Sequence, residues 1–440
     1  MKIALISLGC PKNQVDADVM CHALLLKGHE TTADLNEADV IIVNTCGFIE
    51  SAKQEAIDNI LEACSYKEQK PSLKVVVTGC LAQRYQHEIK AEIPEVDAVV
   101  GLGSNAAICS IIERVSGGEE VESYGAKTAL PLEGKRVIST PRHYAYLKIA
   151  EGCSNGCYYC AIPLIRGALR SREIKDIVAE AKFLASEGVK ELIIVAQDIT
   201  DFGADRGKVE ICELLDALNA VDGIKWIRLL YAYPERITDE FIAAMVRNNK
   251  VLHYLDVPIQ HINTDVLKAM NRKGTRETVL SALDRLRAAM PEITLRTTLI
   301  TGYPNETQAQ FDELCEFVKQ YRFDRLGCFA YSEEEGTVAA KLPQLPQTLR
   351  EERAEIIMNI QSNIMAQKQQ EKIGQTLTAV CDDYDDEEDF YILRTTSDAP
   401  DIDAEVLVKS ETPLETGAFY SVKITDSDVY DLYGDIICKE

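Results

Sequence analysis

Three cysteines that lie close together in the sequence carry the strongest chemical signal in the chain. Cys153, Cys157 and Cys160 have the spacing C-x3-C-x2-C, and Gly152 and Gly156 allow the backbone to wrap closely around a bound group. Three thiolates can hold three irons of a [4Fe–4S] cluster, which normally has four protein ligands, so one iron stays open. Zinc usually takes two pairs of ligands, and a redox dithiol would leave Cys153 unexplained. The spacing therefore favours an iron–sulfur cluster.

A second set of cysteines is dispersed in the sequence. Cys10, Cys46 and Cys80 each follow an apolar run, and each is separated from the next by about one strand and one helix. The carboxyl ends of neighbouring parallel strands share one edge of a sheet, where ligands bind. These three thiols are therefore predicted to converge, either as a second three-ligand cluster site or as ordinary buried cysteines.

The other candidate groups have two interpretations each. His261 follows a predicted strand and either faces an active-site mouth or makes a loop hydrogen bond. Arg296 either clamps a substrate carboxylate or pairs with a structural acid. The chain has 14 cysteines, too few in 440 residues for a disulfide scaffold. The cysteines outside the two trios are interpreted as packing residues: Cys21, Cys64, Cys109, Cys212, Cys315, Cys328, Cys381 and Cys438.

The elements that must position these residues form three predicted domains. Residues 1–125 alternate strands and helices, which predicts an α/β sandwich with a parallel sheet, and residues 117–140 are interpreted as a linker. Residues 140–370 contain six β/α units, an incomplete (β/α)6 barrel, and end in a long helix. Residues 373–440 have short strand-like runs and turns, typical of a small β-barrel.

The charge of the chain restricts its partners. The formal net charge is −24, and residues 371–440 hold 19 acidic and 5 basic residues. Such a surface disfavours nonspecific nucleic-acid binding and favours a basic partner. The acidic run 382–389 is either a solvated loop or a docking face for a basic protein. No apolar run has the length of a membrane span, and the apolar stretch before Cys10 is too short for a signal peptide, so we expect a cytoplasmic protein.

The cysteine motifs resemble those of a known superfamily. The trio at 153–160, with an aromatic residue before its last cysteine, is similar to the radical S-adenosylmethionine (SAM) signature. The three upstream cysteines, and a small β-barrel in the position of a TRAM domain, resemble the methylthiotransferases of that superfamily. The resemblance covers nearly the whole chain.

Two further stretches resemble one branch of that family. Gly9-Cys10-Pro11-Lys12-Asn13-Gln14-Val15-Asp16 is similar to the RimO branch, whereas the tRNA-modifying, MiaB-like branch usually has Gln-Met in place of Pro11-Lys12. The segment 397–403 also resembles the RimO branch. The stretch Leu393-Arg394-Thr395-Thr396 departs from the Gly-Arg form that is frequent there.

The resemblance implies an activity and its cofactors. It implies a methylthiotransferase that acts on the β-carbon of an aspartate in the twelfth small-subunit ribosomal protein, with two [4Fe–4S] clusters and two SAM molecules per turnover. The SAM-binding cluster would lie on Cys153, Cys157 and Cys160. The auxiliary cluster would lie on the other trio, Cys10, Cys46 and Cys80, and supply sulfur. A low-potential donor such as flavodoxin or ferredoxin would reduce the enzyme, and no catalytic residues beyond the cluster ligands are expected.

Three alternatives stay open on the sequence. The first is a MiaB-like tRNA adenosine methylthiotransferase, which the residues at 9–16 and the acidic terminal barrel disfavour. The second is a non-catalytic iron–sulfur protein, which would leave the open-iron loop on a large barrel unexplained. The third is a zinc-stabilised binding module.

Overall fold

The computed structural model describes all 440 residues, and the chain divides into two compact units. Unit 1 comprises Met1–Ser139, Lys148–Arg172 and Ser332–Ala340. Unit 2 comprises Thr140–Leu147, Glu173–Tyr331 and Lys341–Glu440. No helix combines the length and the apolar character needed to cross a lipid bilayer.

Unit 1 is built on a six-stranded sheet in the order β2-β1-β3-β4-β5-β6, and all its neighbouring strands are parallel. Its central strand is buried at every residue because helices cover both faces of the sheet. The prediction of a parallel α/β domain is confirmed. The strands are β1 Lys2–Ser7, β2 Glu30–Thr31, β3 Val40–Thr45, β4 Lys74–Gly79, β5 Ala98–Gly101 and β6 Val121–Ser123.

The helices of unit 1 follow the strands, and two of them, α1 and α3, begin beside or at a cysteine of the first trio. Pro11 occupies the first turn of α1, where its missing N–H costs nothing, and Cys80 is the first residue of α3. A short hairpin of β8 (Ala150–Glu151) and β9 (Arg170–Ser171) closes the loop that carries the second cysteine trio. The helices are α1 Pro11–Leu26, α2 Glu50–Ser65, α3 Cys80–Glu92, α4 Ile108–Ser116 and α5 Ile162–Arg166.

Unit 2 contains an open six-stranded sheet in the order β14-β13-β12-β11-β10-β7, followed by a closed five-stranded barrel. The incomplete β/α barrel and the small terminal barrel predicted from the sequence are both confirmed. The sheet strands are β7 Tyr144–Lys148, β10 Glu191–Val195, β11 Trp226–Leu229, β12 Val251–Asp256, β13 Thr294–Thr301 and β14 Arg325–Ala330. The barrel strands are β15 Thr376–Asp385, β16 Phe390–Thr395, β17 Val406–Val408, β18 Phe419–Ser427 and β19 Leu432–Lys439.

The helices of unit 2 pack around this sheet, and the longest, α12, leads into the terminal barrel. Several begin with a side-chain cap, and α11 has a complete capping box between Thr307 and Gln310. The helices are α6 Ile174–Ser186, α7 Ile211–Asn219, α8 Asp239–Arg247, α9 Thr264–Ala269, α10 Arg276–Ala289, α11 Gln308–Tyr321 and α12 Gln347–Gln370.

A buried ionic network joins the terminal barrel to the sheet of unit 2. Arg394 on β16 bonds Glu191 at 2.7 Å and Asp382 at 2.8 Å. Glu191 also accepts from Arg228 at 2.7 Å, and His143 lies 2.7 Å from Asp382. Arg394 lies in the stretch that departs from the family's Gly-Arg form. Its contacts with Glu191 and Asp382 give it a structural role there.

Candidate functional site

The first cysteine trio, Cys10, Cys46 and Cys80, lies at one edge of the sheet of unit 1. β1 pairs with β3 up to Ser7 opposite Asn44, and β3 pairs with β4 up to Thr45 opposite Gly79. Cys46 and Cys80 follow the ends of β3 and β4 directly, and Cys10 lies three residues after the end of β1, so all three lie at the same edge of the parallel sheet. The structure thus brings together the trio that the sequence predicted to converge.

Glycines permit the close approach of the loops that carry this trio. A Cβ added at Gly9 would lie 2.6 Å from the Cβ and 2.9 Å from the Sγ of Cys46. A Cβ at Gly47 would lie 3.0 Å from the carbonyl carbon of Cys80. Gly9 also has φ +84°, a conformation that other residues rarely adopt. Any side chain at these two positions would force the three loops apart.

Asn13 ties the loops together from α1, a role that the sequence did not reveal. Its Nδ2 donates to the carbonyl oxygens of Leu8 at 2.8 Å and of Asn44 and Thr45 at 3.3 Å each. In return, Asn44 Nδ2 donates to the Asn13 carbonyl at 2.9 Å. Asn13 is buried, so these bonds satisfy carbonyls that water cannot reach.

The second trio, Cys153, Cys157 and Cys160, lies in the loop between β8 and α5. The Cys153 amide donates to the Gly167 carbonyl at 3.0 Å, and the Cys160 amide donates to the Cys157 carbonyl at 3.1 Å. Gly152 has φ +73°, and a Cβ there would lie 2.1 Å from the Ala168 carbonyl oxygen. The prediction that this glycine allows a tight wrap is consistent with this geometry.

Both trios belong to unit 1, and a buried polar cluster connects their loops. Arg166 Nη1, on the last residue of α5, lies 2.9 Å from Asp16 Oδ2 on α1 and 2.9 Å from Glu151 Oε2 beside the second trio. Its Nη2 donates to Asn13 Oδ1 at 3.3 Å. Lys148 bonds the same two carboxylates, so two cations face two buried anions. Arg166 lies in no recognisable sequence motif, because only the fold brings it close to α1.

The thiols of the first trio differ in acidity. Burial alone would raise the pKa of Cys10, but Lys12 and Arg166 hold it below its usual value. Burial raises the pKa of Cys80 to about 12, against the opposing effect of Arg166, which is hydrogen-bonded to its side chain. Burial also raises the pKa of Cys46, and Cys10 adds to the rise. Cys10 is therefore the thiol of this trio that loses its proton at the lowest pH.

The thiols of the second trio must also lose their protons before they can bind a metal. Burial raises the pKa of Cys160 to about 12, and the neighbouring Cys157 and Cys153 raise it further. A metal bound to such thiols must displace their protons, so loading depends on pH.

The donor set of each trio suits a cluster in which every thiolate binds a different iron. Gly9, Gly47 and Gly152 let the loops that carry the cysteines approach one another closely, because a Cβ at any of them would clash with a neighbouring loop. No group of three or more His, Cys, Asp or Glu side chains is arranged to hold a single metal ion. The residues present fit an iron–sulfur cluster at each trio.

Two other candidates from the sequence have structural partners in unit 2. His261 is buried, and its Nδ1 accepts from the Asn263 amide at 2.9 Å. Burial lowers its pKa to about 3, so the ring is neutral at physiological pH. Arg296 Nη1 lies 3.0 Å from Asp256, and its Nε lies 3.6 Å from Asp403. The loop hydrogen bond and the structural ion pair are therefore the interpretations that the contacts support.

Comparison with known proteins assigns the family. Family models match residues 2–101 (Uncharacterized protein family UPF0004), 147–318 (Radical SAM superfamily) and 373–437 (TRAM domain). Over 446 residues the chain is 47% identical to ribosomal protein uS12 methylthiotransferase RimO of Acetivibrio thermocellus, with 99% of this chain and 98% of that protein covered. The chain belongs to the RimO family of radical SAM methylthiotransferases. The RimO protein of Clostridioides difficile is also 47% identical, with 99% of each chain covered.

Solved structures share the fold of this RimO-family chain at low sequence identity. The radical SAM methyltransferase TsrM from Kitasatospora setae, solved with cobalamin and a [4Fe–4S] cluster, has a TM-score of 0.57 and 15% identity, with 74% of each chain covered. The cobalamin-dependent enzyme OxsB has a TM-score of 0.51 and 14% identity, with 81% of this chain and 56% of that chain covered. The family assignment establishes a radical SAM enzyme, and these likenesses concern the fold alone.

Proposed function

We propose that this chain adds a methylthio group to the β-carbon of an aspartate in ribosomal protein uS12, using two [4Fe–4S] clusters and two SAM molecules per turnover. The observation that carries the proposal is the presence of two cysteine trios in unit 1, joined through Arg166 and its two carboxylate partners. The relatives are named for uS12, which gives the substrate. The residues at 9–16 and the acidic terminal barrel disfavour the MiaB-like alternative.

Each trio has a separate task in this proposal. When bound, the cluster on Cys153, Cys157 and Cys160 would supply reductive cleavage of SAM, and the cluster on the other trio would supply sulfur. A radical is needed because no side-chain base removes so weakly acidic a proton near neutral pH. The protein's own residues would position the cluster ligands: the glycines let the cysteine loops pack closely, and Asn13 fixes the loops of the first trio.

The charge of the terminal barrel supports a protein substrate. Between residues 371 and 440 there are 19 acidic and 5 basic residues. Asp382, Asp398 and Asp403 are used inside unit 2, where each contacts an arginine. Most of the others are exposed, including residues 386–389. Ribosomal proteins are generally basic, so this surface would attract uS12 and repel RNA.

The remaining partners follow from the proposed chemistry. A low-potential donor such as flavodoxin or ferredoxin would supply the electron, and the reaction would take place in the cytoplasm. The uS12 substrate would be met either free or within the assembled small subunit, and both forms belong in the assay.

The test combines iron counting with mass spectrometry of uS12 and tRNA under anaerobic conditions. Cys153→Ala, Cys157→Ala and Cys160→Ala together should abolish 5′-deoxyadenosine formation and leave about four of about eight irons. Alanines at the first trio should preserve deoxyadenosine formation and eliminate the thiomethyl product. A variant with alanines at Cys21, Cys109 and Cys438, which lie outside both trios, is the matched control and should keep the full iron content. Four irons in the wild type, or a thiomethyl group found on tRNA alone, would contradict the proposal.

A further inference from the structure

A surface groove of about 610 Å³ lies in unit 1, between α2, α3 and the segment 333–335. Its floor is apolar and includes Ile57, Leu61, Leu81, Tyr85 and Ile89. Leu61 is 49% exposed, so part of this apolar lining faces the solvent. Leu81 and Ile89 also belong to the hydrophobic core of unit 1, and Leu61 is the part of the floor that stays exposed.

The rim of this groove is negatively charged. Five carboxylates line it: Glu50, Glu88, Glu92, Glu333 and Glu335. The one lining cation, Lys53, is buried and already bonds Glu50 at 2.6 Å and Glu334 at 3.4 Å. The other four rim carboxylates make no ion pair within unit 1. The groove consequently presents an uncompensated negative field around an apolar floor.

The wall of the groove contains a backbone irregularity. Gln86 has φ 38° and ψ −114°, which interrupts α3 between Tyr85 and Ile89. Such a backbone conformation is strained for a non-glycine residue, and residues of this kind tend to occur at binding or switch segments. The interruption changes the direction of α3 where the apolar floor meets the acidic rim.

The groove begins beside the first trio. Leu81 on the floor directly follows Cys80, and Glu50 on the rim is four residues after Cys46. A chain segment held in the groove would therefore extend to the cysteine edge of the sheet.

We propose that this groove binds an amphipathic basic segment of uS12, with an apolar residue of that segment on the floor and its Lys or Arg side chains against the rim. The inference deepens the proposed function and rests on it. Charge complementarity selects this occupant, because an RNA or an acidic protein would meet like charge on the rim. The apolar floor would provide the anchor that commonly dominates such interfaces.

The test measures binding of purified uS12 to the reconstituted holoenzyme by fluorescence anisotropy over a range of salt concentrations. Glu88→Lys with Glu92→Lys should weaken binding about tenfold or more at low salt and flatten its salt dependence. Leu61→Ser should weaken it with little change in salt dependence. The control carries the same two charge reversals at exposed positions outside the groove, Glu30→Lys and Glu113→Lys.

The outcomes of this experiment distinguish an error in the groove assignment from an error in the proposed function. Deoxyadenosine formation without uS12 should be equal in all variants, which shows that the clusters are intact. If groove and control variants bind uS12 alike while the wild type modifies it, the groove assignment is wrong and the proposed function stands. If the wild type neither binds nor modifies uS12, free or in the small subunit, both the groove assignment and the proposed function are wrong.

Discussion

Replacement of Arg166 tests the buried cluster that joins the loops of the two trios. Arg166 is 1% exposed at its side chain, and it bonds Asp16 and Glu151, whose side chains are 3% and 0% exposed. Arg166→Met leaves Lys148 as the cation that these two carboxylates share. The loss should destabilise unit 1, since an uncompensated charge then lies away from water.

The structure sets the size of the effect. Removal of one partner from a buried ion pair costs about 3–5 kcal/mol, and the continuing bonds to Lys148 place the expected loss near the lower end. Arg166→Lys keeps the charge but gives up the planar fork, so the loss of one charge-assisted hydrogen bond should cost about 1.5–3 kcal/mol.

Hydrogen exchange of the α1 amides measures the loss, because it reports the free energy of local and global opening. The single tryptophan, Trp226, lies in unit 2, so its fluorescence transition is an internal reference that should not move. Arg170→Met is the matched control: the hydrogen bonds of Arg170 go to the carbonyls of Lys127, Thr128 and Leu130, so no buried carboxylate loses its partner. A loss for Arg166→Met below about 1 kcal/mol, or equal to that of Arg170→Met, would refute the reasoning.

Three further predictions concern other parts of the molecule. Gly9→Ala should halve the bound iron by displacing Cys46, whereas Gly28→Ala, with a similar φ of +80° but open space, should keep it; iron analysis distinguishes them. Burial raises the pKa of Glu306 from 4.5 to about 6, so the folded state holds a proton that the unfolded state releases. Unit 2 should therefore lose about 2 kcal/mol as the pH rises through this interval, and Glu306→Gln should remove that slope in denaturant titrations. Arg394→Met removes one cationic partner from Glu191, which keeps Arg228, and one from Asp382, which keeps His143. It should lower the stability of unit 2 by about 3 kcal/mol, read from the tryptophan transition.

The sequence predicted most of the fold because its signals are periodic and local. The strand–helix alternation predicted over residues 1–125 and the six β/α units predicted over 140–370 correspond to the two large sheets, and the long helix after them runs from Gln347 to Gln370. The edge strands β2 and β6 were missed. β2 has two residues, and β6 lies at 121–123, inside the stretch interpreted as a linker. The last barrel strand, Leu432–Lys439, was also missed, since its exposed half has no clear alternation.

For the site, the sequence by itself determined the ligand types and their positions along the chain. The spacing at Cys153, Cys157 and Cys160 is a local property, and the equivalent placement of Cys10, Cys46 and Cys80 after three strands follows from the α/β alternation. Only the tertiary structure decided that both trios belong to unit 1 and that Arg166 meets Asp16, 150 positions away in the chain. The physical reason is that a buried guanidinium takes its partners from whatever the folded chain brings within about 3 Å, and no periodicity in the sequence encodes that distance.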